Sequence, residues 1–160
     1  MGEMDGQATP RVQLIYETLR ETGVTVELSE NIMKILWTKL VFISAISSLG
    51  SLTRLPIGEY RVVTETRVMM ISLMEEIVSV ALAQKVNLDQ DVIQKSLDFI
   101  DKAAPHIKTS MQLDVEAGRQ SELESIVGVI GRKSRDLGIP TPTADTVSYT
   151  HLTLPTTPYV

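Results

Sequence analysis

Inside the stretch from Ser29 to Ser48 the only charged side chains beyond the opening Glu30 are Lys34 and Lys39. Ile32, Ile35, Leu36, Leu40, Ile43 and Ile46 recur at helical spacing, and Met33, Trp37, Val41 and Phe42 widen the stripe. A helix apolar over so much of its circumference must be wrapped by other elements. The uncharged run Leu40 to Thr53 reads as the rest of this buried helix and its exit loop. It is shorter than the ~20 apolar residues that span a bilayer, and it carries serines and a glycine. Lys39 falls on the Ile43–Ile46 side at 100° per residue. Burial there would disfavour the ammonium and make it a proton donor near neutrality. The same pattern also fits a lysine whose stem reaches solvent beside Trp37.

The flanking segments read mostly as amphipathic helices. Pro10 sits where helices begin, and Val12, Leu14, Ile15 and Leu19 give a first helix that ends at Gly23. Val24 to Leu28 alternates with period two and predicts a short strand, which needs a partner near Met1 or a sheet elsewhere. Leu55 to Gly58 is a turn. Thr64 to Lys85 predicts a long helix with Val68, Ile71, Leu73, Met74, Ile77, Val78 and Ala81 inward and Glu75–Glu76 on a solvated edge. Asp89 is the expected cap of a helix carrying Val92, Ile93, Leu97 and Ile100.

The densest polar pattern lies between Thr109 and Gly128. Thr109 with Gln112, and Ser121 with Glu124, have capping-box spacing, and Gly118–Arg119 separates the two helix starts. Ser110 and Asp114 share a helix face, and Glu122 stands in the first turn of the second helix. A hydroxyl, two carboxylates and two helix ends in so short a stretch fit a site for a small acid; they also fit two well-capped surface helices. Leu123, Ile126, Val127 and Ile130 face inward, Gly138 ends that helix, and Pro140 to Asp145 opens a last one.

Composition removes several classes. A net charge of −5 with no basic run gives no footprint for nucleic acid. Cysteine is absent and only two histidines occur, His106 and His151, so no metal site is expected. Met1 to Pro10 lacks the apolar core of a signal peptide, and the expected location is cytoplasmic. Residues 146–160 contain no charged side chain and are crowded with threonine and proline. Val147 to Thr156 resembles the translation of a sequencing adapter, so 146–160 reads as a non-native tail, His151 with it.

Taken together, Trp37-Thr38-Lys39-Leu40, Glu76 with Val80-Ala81 and Ala83, Ser110-Met111-Gln112-Leu113-Asp114, Gly118-Arg119-Gln120-Ser121-Glu122-Leu123-Glu124 and Gly138-Ile139-Pro140-Thr141-Pro142 resemble the C-terminal domain of the ketopantoate reductase (2-dehydropantoate 2-reductase) family. The resemblance implies an all-α helical bundle like the C-terminal domain of 6-phosphogluconate dehydrogenase-type reductases, here with a short strand remnant near the N-terminus. Residues 1–28 would be the junction with an N-terminal Rossmann domain, and residues 29–145 the substrate and dimerisation domain. It also implies an NADPH-dependent reductase of a small 2-keto acid, in this family the ketopantoate-to-pantoate step of pantothenate synthesis, with a possible homodimer. By residue-for-residue match, Lys39 is the catalytic lysine, Ser110 holds the substrate carboxylate and Glu122 engages the substrate hydroxyl. Asp114 is given a supporting role, and Ser47 a place among the substrate-binding positions.

Three positions depart from the family pattern. Asparagines four and eight residues after the lysine are replaced by Ile43 and Ser47, and the asparagine before the last motif's glycine is Val127. Fewer polar groups in the pocket imply a more apolar 2-keto acid. None of the nine glycines forms Gly-x-Gly-x-x-Gly, so NADPH would be bound mainly by a domain outside this chain, and the chain alone would be inactive. The competing readings are a helical interaction module without chemistry and, against the Gly-Arg-x-Ser-Glu motif, a 3-hydroxyacid dehydrogenase relative.

Overall fold

A computed structural model describes residues 1–153, with side chains described through residue 150. The helices are α1 (Pro10–Glu21), α2 (Ile32–Thr53), α3 (Ile57–Tyr60), α4 (Thr64–Ala83), α5 (Val92–Lys102), α6 (Ser110–Glu116), α7 (Val129–Leu137) and α8 (Pro142–Thr153), with a π-helical segment Glu124–Gly128 running into α7. No strand forms among the described residues.

α2 is the axis of the bundle. At 22 residues it is long and apolar enough to cross a bilayer by length and composition; here α4, α5, α6 and α8 pack around it. Its buried side carries Trp37, Val41, Ser44, Ala45 and Ser48, while Ile35 and Leu36 stand half exposed. The sequence pattern had placed those two inside. A helix apolar almost all round does not announce which side its neighbours will cover. α4 turns Met70, Leu73, Met74, Ile77 and Ala81 inward, whereas Val68, expected inside, is exposed.

The end of the bundle closes through one carboxylate. Glu76 of α4, expected on a solvated edge, accepts the backbone N–H groups of Thr143 at 2.7 Å and Ala144 at 2.8 Å. Those N–H groups at the start of α8 have no partner within the helix, and the negative charge sits at the positive end of the helix dipole. Thr141, just before α8, is buried with its hydroxyl 2.8 Å from that of Ser134. α8 then places Ala144 and Val147 in the core. The helix therefore continues to Thr153, past the point where the sequence pattern set the tail aside. The His151 side chain and residues 154–160 lie outside the described residues.

Three expectations are corrected here. The predicted strand at Val24 to Leu28 does not form: the segment has no regular secondary structure. Its one pairing is with the N-terminus: the Met1 amino group donates to the Glu27 carbonyl at 2.7 Å, and Ser29 N–H donates to the Met1 carbonyl at 2.7 Å. Two bonds are too few for a strand. α1 buries only Val12, leaving Leu14, Ile15 and Leu19 exposed. Asp89 does not cap α5; its carboxylate pairs with Lys34 and Lys95, and Asp91 occupies the cap position without a side-chain bond.

Because two N–H groups of α8 depend on one side chain, Glu76→Ala should cost about 1–2 kcal/mol. Urea denaturation would measure the loss, with the fastest new amide exchange expected at Thr143 and Ala144. Glu76→Gln, which keeps one acceptor, should lose less.

Candidate functional site

Lys39, Ile43 and Ser47 repeat every four residues and so form one stripe along α2. Exposure falls along it: Lys39 is exposed, Ile43 is half-buried, and Ser47 is 1% exposed. At 1.5 Å per residue the stripe is about 12 Å long from Lys39 to Ser47. Trp37 lies on the far side of the helix, since two residues turn the chain through about 200°. The lysine is therefore not dried by Trp37, and of the two readings that the apolar run allowed, the exposed one holds. It faces outward and makes no hydrogen bond or ion pair among the described residues.

α6 covers the buried end of the stripe. A Cβ on Gly50 would lie 2.5 Å from Oε1 of Gln112, so the missing side chain is what admits α6 there. Gln112 is 1% exposed; its Nε2 donates to the Leu55 carbonyl at 3.0 Å and to the Glu116 carboxylate at 2.8 Å. Lys108 donates to both oxygens of that carboxylate at 2.9 Å. This run of contacts pins α6 to the point where α2 ends. The predicted capping box is half formed: the Thr109 hydroxyl accepts Gln112 N–H at 3.2 Å, but the Gln112 side chain serves α2 instead of reaching back.

Ser110 opens α6 on the side away from buried Met111 and Gln112, and is exposed. Asp114, one turn on, accepts from Arg119 Nε at 2.8 Å, while Arg119 N–H donates to the Asp114 carbonyl at 2.8 Å. Asp114 thus holds the turn at Gly118, whose φ of 66° lies in the left-handed region that glycine adopts freely. Beyond that turn Glu122 is exposed and its carboxylate has no partner among the described residues. Its carbonyl accepts Ser125 and Ile126 N–H at 3.0 and 2.9 Å.

The second capping box, Ser121 with Glu124, does not form. Glu124 begins the π-helical segment and its carboxylate pairs with Arg132. A Cβ on Gly128 would meet that carboxylate, so the Glu124 side chain lies over the glycine in this arrangement. The Ser44 hydroxyl donates to the Ile126 carbonyl at 3.5 Å, fastening the segment to α2. Widened turns of this kind recur at functional sites.

Lys39, Ser110 and Glu122 thus occupy α2 and two helix starts that pack beside it, each exposed and none bonded to another. The stripe and the packing of α6 and the π segment on α2 are the geometry they share. Ser47 differs from them in being buried.

The family model described as "Ketopantoate reductase PanE/ApbA C terminal" matches residues 31–151. The chain belongs to the ketopantoate reductase family. Relatives and solved structures agree. A 2-dehydropantoate 2-reductase of Nostoc sp. is 31% identical over 134 residues, covering 84% of this chain and 42% of that protein. The solved 2-dehydropantoate 2-reductase from Methylococcus capsulatus superimposes with a TM-score of 0.86 at 29% identity, over 99% of this chain and 51% of that one. The PanE/ApbA family ketopantoate reductase from Ralstonia eutropha JMP134 gives 0.82 at 30%, over 90% and 48%. The chain spans about half the length of the relatives it matches.

Within this ketopantoate reductase domain, sequence reasoning missed Gln112 as an anchor and Glu76 as a cap. Gly50 was the available signal for the first: a glycine inside an apolar helix marks close approach of another element.

Gln112→Leu should destabilise the ketopantoate reductase domain by about 1–3 kcal/mol, because it strands the Leu55 carbonyl and removes a donor from Glu116. Burial pushes the Glu116 carboxyl up, but the hydrogen bonds from Lys108 and Gln112 prevail and hold it below its usual value of 4.5. A carboxylate with a lowered folded-state value stabilises above its unfolded value and loses that contribution as pH falls through the folded one. The difference in urea midpoint between the native chain and Glu116→Gln should therefore be present at pH 7 and shrink below about pH 4.5.

Proposed function

We propose that this chain is the substrate-facing helical part of an NADPH-dependent 2-keto acid reductase, of the kind that converts ketopantoate to pantoate in the cytoplasm. The observation that carries the reading is the set of uncommitted side chains at the matched positions. Lys39, Ser110 and Glu122 stand exposed and have no side-chain partner among the described residues, while Asp114 is spent on the turn that precedes Glu122. In this reading the Lys39 ammonium donates to the 2-keto oxygen and stabilises the charge that develops there. The Ser110 hydroxyl donates to the substrate carboxylate, and the Glu122 carboxylate accepts from a substrate hydroxyl. The Ser47 hydroxyl bounds the inner end of the stripe, and Asp114 is a positioning residue. A homodimer through the helical domain belongs to the same proposal.

The described residues do not fit the nicotinamide cofactor. No strand-to-helix turn exists among them to receive a pyrophosphate, and no glycine trio of the needed spacing occurs. The cofactor would be held by residues outside this chain, and the chain alone should oxidise no NADPH.

A second reading concerns the substrate. Ile43 is the next residue on the Lys39 stripe and is only half-buried. An apolar side chain beside the lysine favours a 2-keto acid whose own side chain is apolar, since a hydroxyl placed there would lose its partner.

The test joins this segment to a dinucleotide-binding domain from a family member and follows NADPH oxidation with a panel of 2-keto acids. Lys39→Ala should lower kcat about 10²- to 10⁴-fold. Unchanged turnover would remove Lys39 from the reaction, and inactivity of the native fusion toward every acid would favour a helical module without chemistry. Preference for ketopantoate over its apolar analogues would reject the second reading.

A further inference from the structure

Phe42 and Phe99, the chain's two phenylalanines, meet edge to face with ring centroids 5.1 Å apart and planes at 89°. Phe42 stands three residues after Lys39 on α2, so the two are surface neighbours with Cβ atoms about 5–6 Å apart. Side chains of a helix lean toward its N-terminus, which lays the Phe42 ring over the turn that carries Lys39. Phe42 is half-buried and packed against the core. Phe99, carried by α5, is 64% exposed. An aromatic pair from two helices therefore stands beside the lysine, one ring seated in the bundle and the other raised into solvent.

The surroundings of this pair are apolar on the α2 side, where Ile35 and Leu36 are half exposed and Ile43 is half-buried. On α5, Lys95 is paired with Asp91 at 3.0 Å, and Asp98 accepts from Gln94 at 2.7 Å. These polar neighbours of Phe99 are thus engaged along their own helix. Rings set edge to face leave faces and edges open to a third ring, and such contacts add to what burial of area alone supplies.

We propose that Phe99 is a specificity-determining residue and that the substrate side chain it selects is aromatic. With the 2-keto oxygen on Lys39, a ring one methylene from the keto carbon lies against the Phe42–Phe99 pair. This rests on the reductase reading and narrows its apolar 2-keto acid to an arylpyruvate.

Because no other phenylalanine occurs, fluorine-labelled phenylalanine reports on these two rings alone in the 160-residue chain. Phenylpyruvate should shift both fluorine resonances saturably. In the fusion to a dinucleotide-binding domain, kcat/KM should favour phenylpyruvate over cyclohexylpyruvate, of like size without a π-system, by about two- to tenfold. Phe99→Leu should abolish that preference, and Phe99→Tyr, which keeps the ring, should retain it. Turnover of both acids without preference, or a preference that Phe99→Leu leaves intact, overturns the proposal while the reductase reading stands. So does the absence of any saturable shift. A fusion that turns over no 2-keto acid overturns the reductase reading, and the proposal with it. Phe99→Leu should keep the native urea midpoint, and the tyrosine variant decides the matter if it does not.

Discussion

Everything in this bundle depends on covering α2. Its side chains are apolar nearly all round, so it has no stable existence as an isolated helix in water, and each neighbour is placed by the part of α2 it hides. Burying a residue the size of Val41 or Leu49 is worth about 1.5–3 kcal/mol, and both are at most 1% exposed. The cover is not uniform. Ser44, Ser47, Ser48 and Ser51 are buried beside the hydrocarbon, and the Ser48 and Ser51 hydroxyls have no partner among the described residues. Small side chains at those positions let neighbouring backbones come close, which offsets part of the cost of unpaired hydroxyls.

Secondary features placed along the chain express the same requirement. Arg61 donates to the carbonyls of Ile100 and Ala103 at 2.7 Å, closing the C-terminal end of α5. Tyr60 is 2% exposed and donates to the Ile46 carbonyl at 3.1 Å; burial pushes its phenol well above the ordinary value, so it stays a neutral donor. Arg61 at α5, Glu76 at α8 and Gln112 just past α2 have one form in common. Each satisfies backbone groups that another helix leaves open at its end, whereas Tyr60 adds a second donor to a carbonyl inside α2.

What the sequence made legible follows from this. Helix existence was readable from periodicity, and helix ends from local chemistry: Thr109 caps α6, and Gly138 ends α7 with φ 68°. Of the inward set read between Ser121 and Leu137, Leu123, Val127 and Ile130 are buried and Ile126 is half-buried, readable because that apolar stripe is narrow. α2 was different: its wide stripe misassigned Ile35 and Leu36, and it left Lys39 open between burial and exposure, where the lysine in fact faces outward. Val68 failed for a related reason, since it lies near the start of α4 where no neighbour reaches it. Glu76 and Gln112 were illegible because their partners lie 67 and 57 residues away, and no local pattern encodes such a bond. The π-helical segment had only Gly128 to announce it, and a glycine inside a helical pattern has several other meanings. The family motifs singled out Lys39, Ser110 and Glu122 as candidates where spacing alone left them ambiguous.

The placement of the candidate residues argues that their geometry is set by helices and not by loops. Ser110 is carried by α6, and α6 is fixed to the end of α2 through Lys108, Glu116, Gln112 and the Leu55 carbonyl. Lys39 is carried by α2 itself. The separation between the two is then governed by a continuous hydrogen-bonded helix with a close helix contact at Gly50, a stiffer ruler than a connecting loop. Glu122 is tied less directly, through the Asp114–Arg119 pair on one side and the Ser44–Ile126 bond on the other. A substrate gripped between Ser110 and Lys39 would meet a rigid frame, and Glu122 would be the member able to adjust. Such a division suits a site in which the carboxylate and carbonyl of every 2-keto acid are constant and only the remainder of the molecule varies.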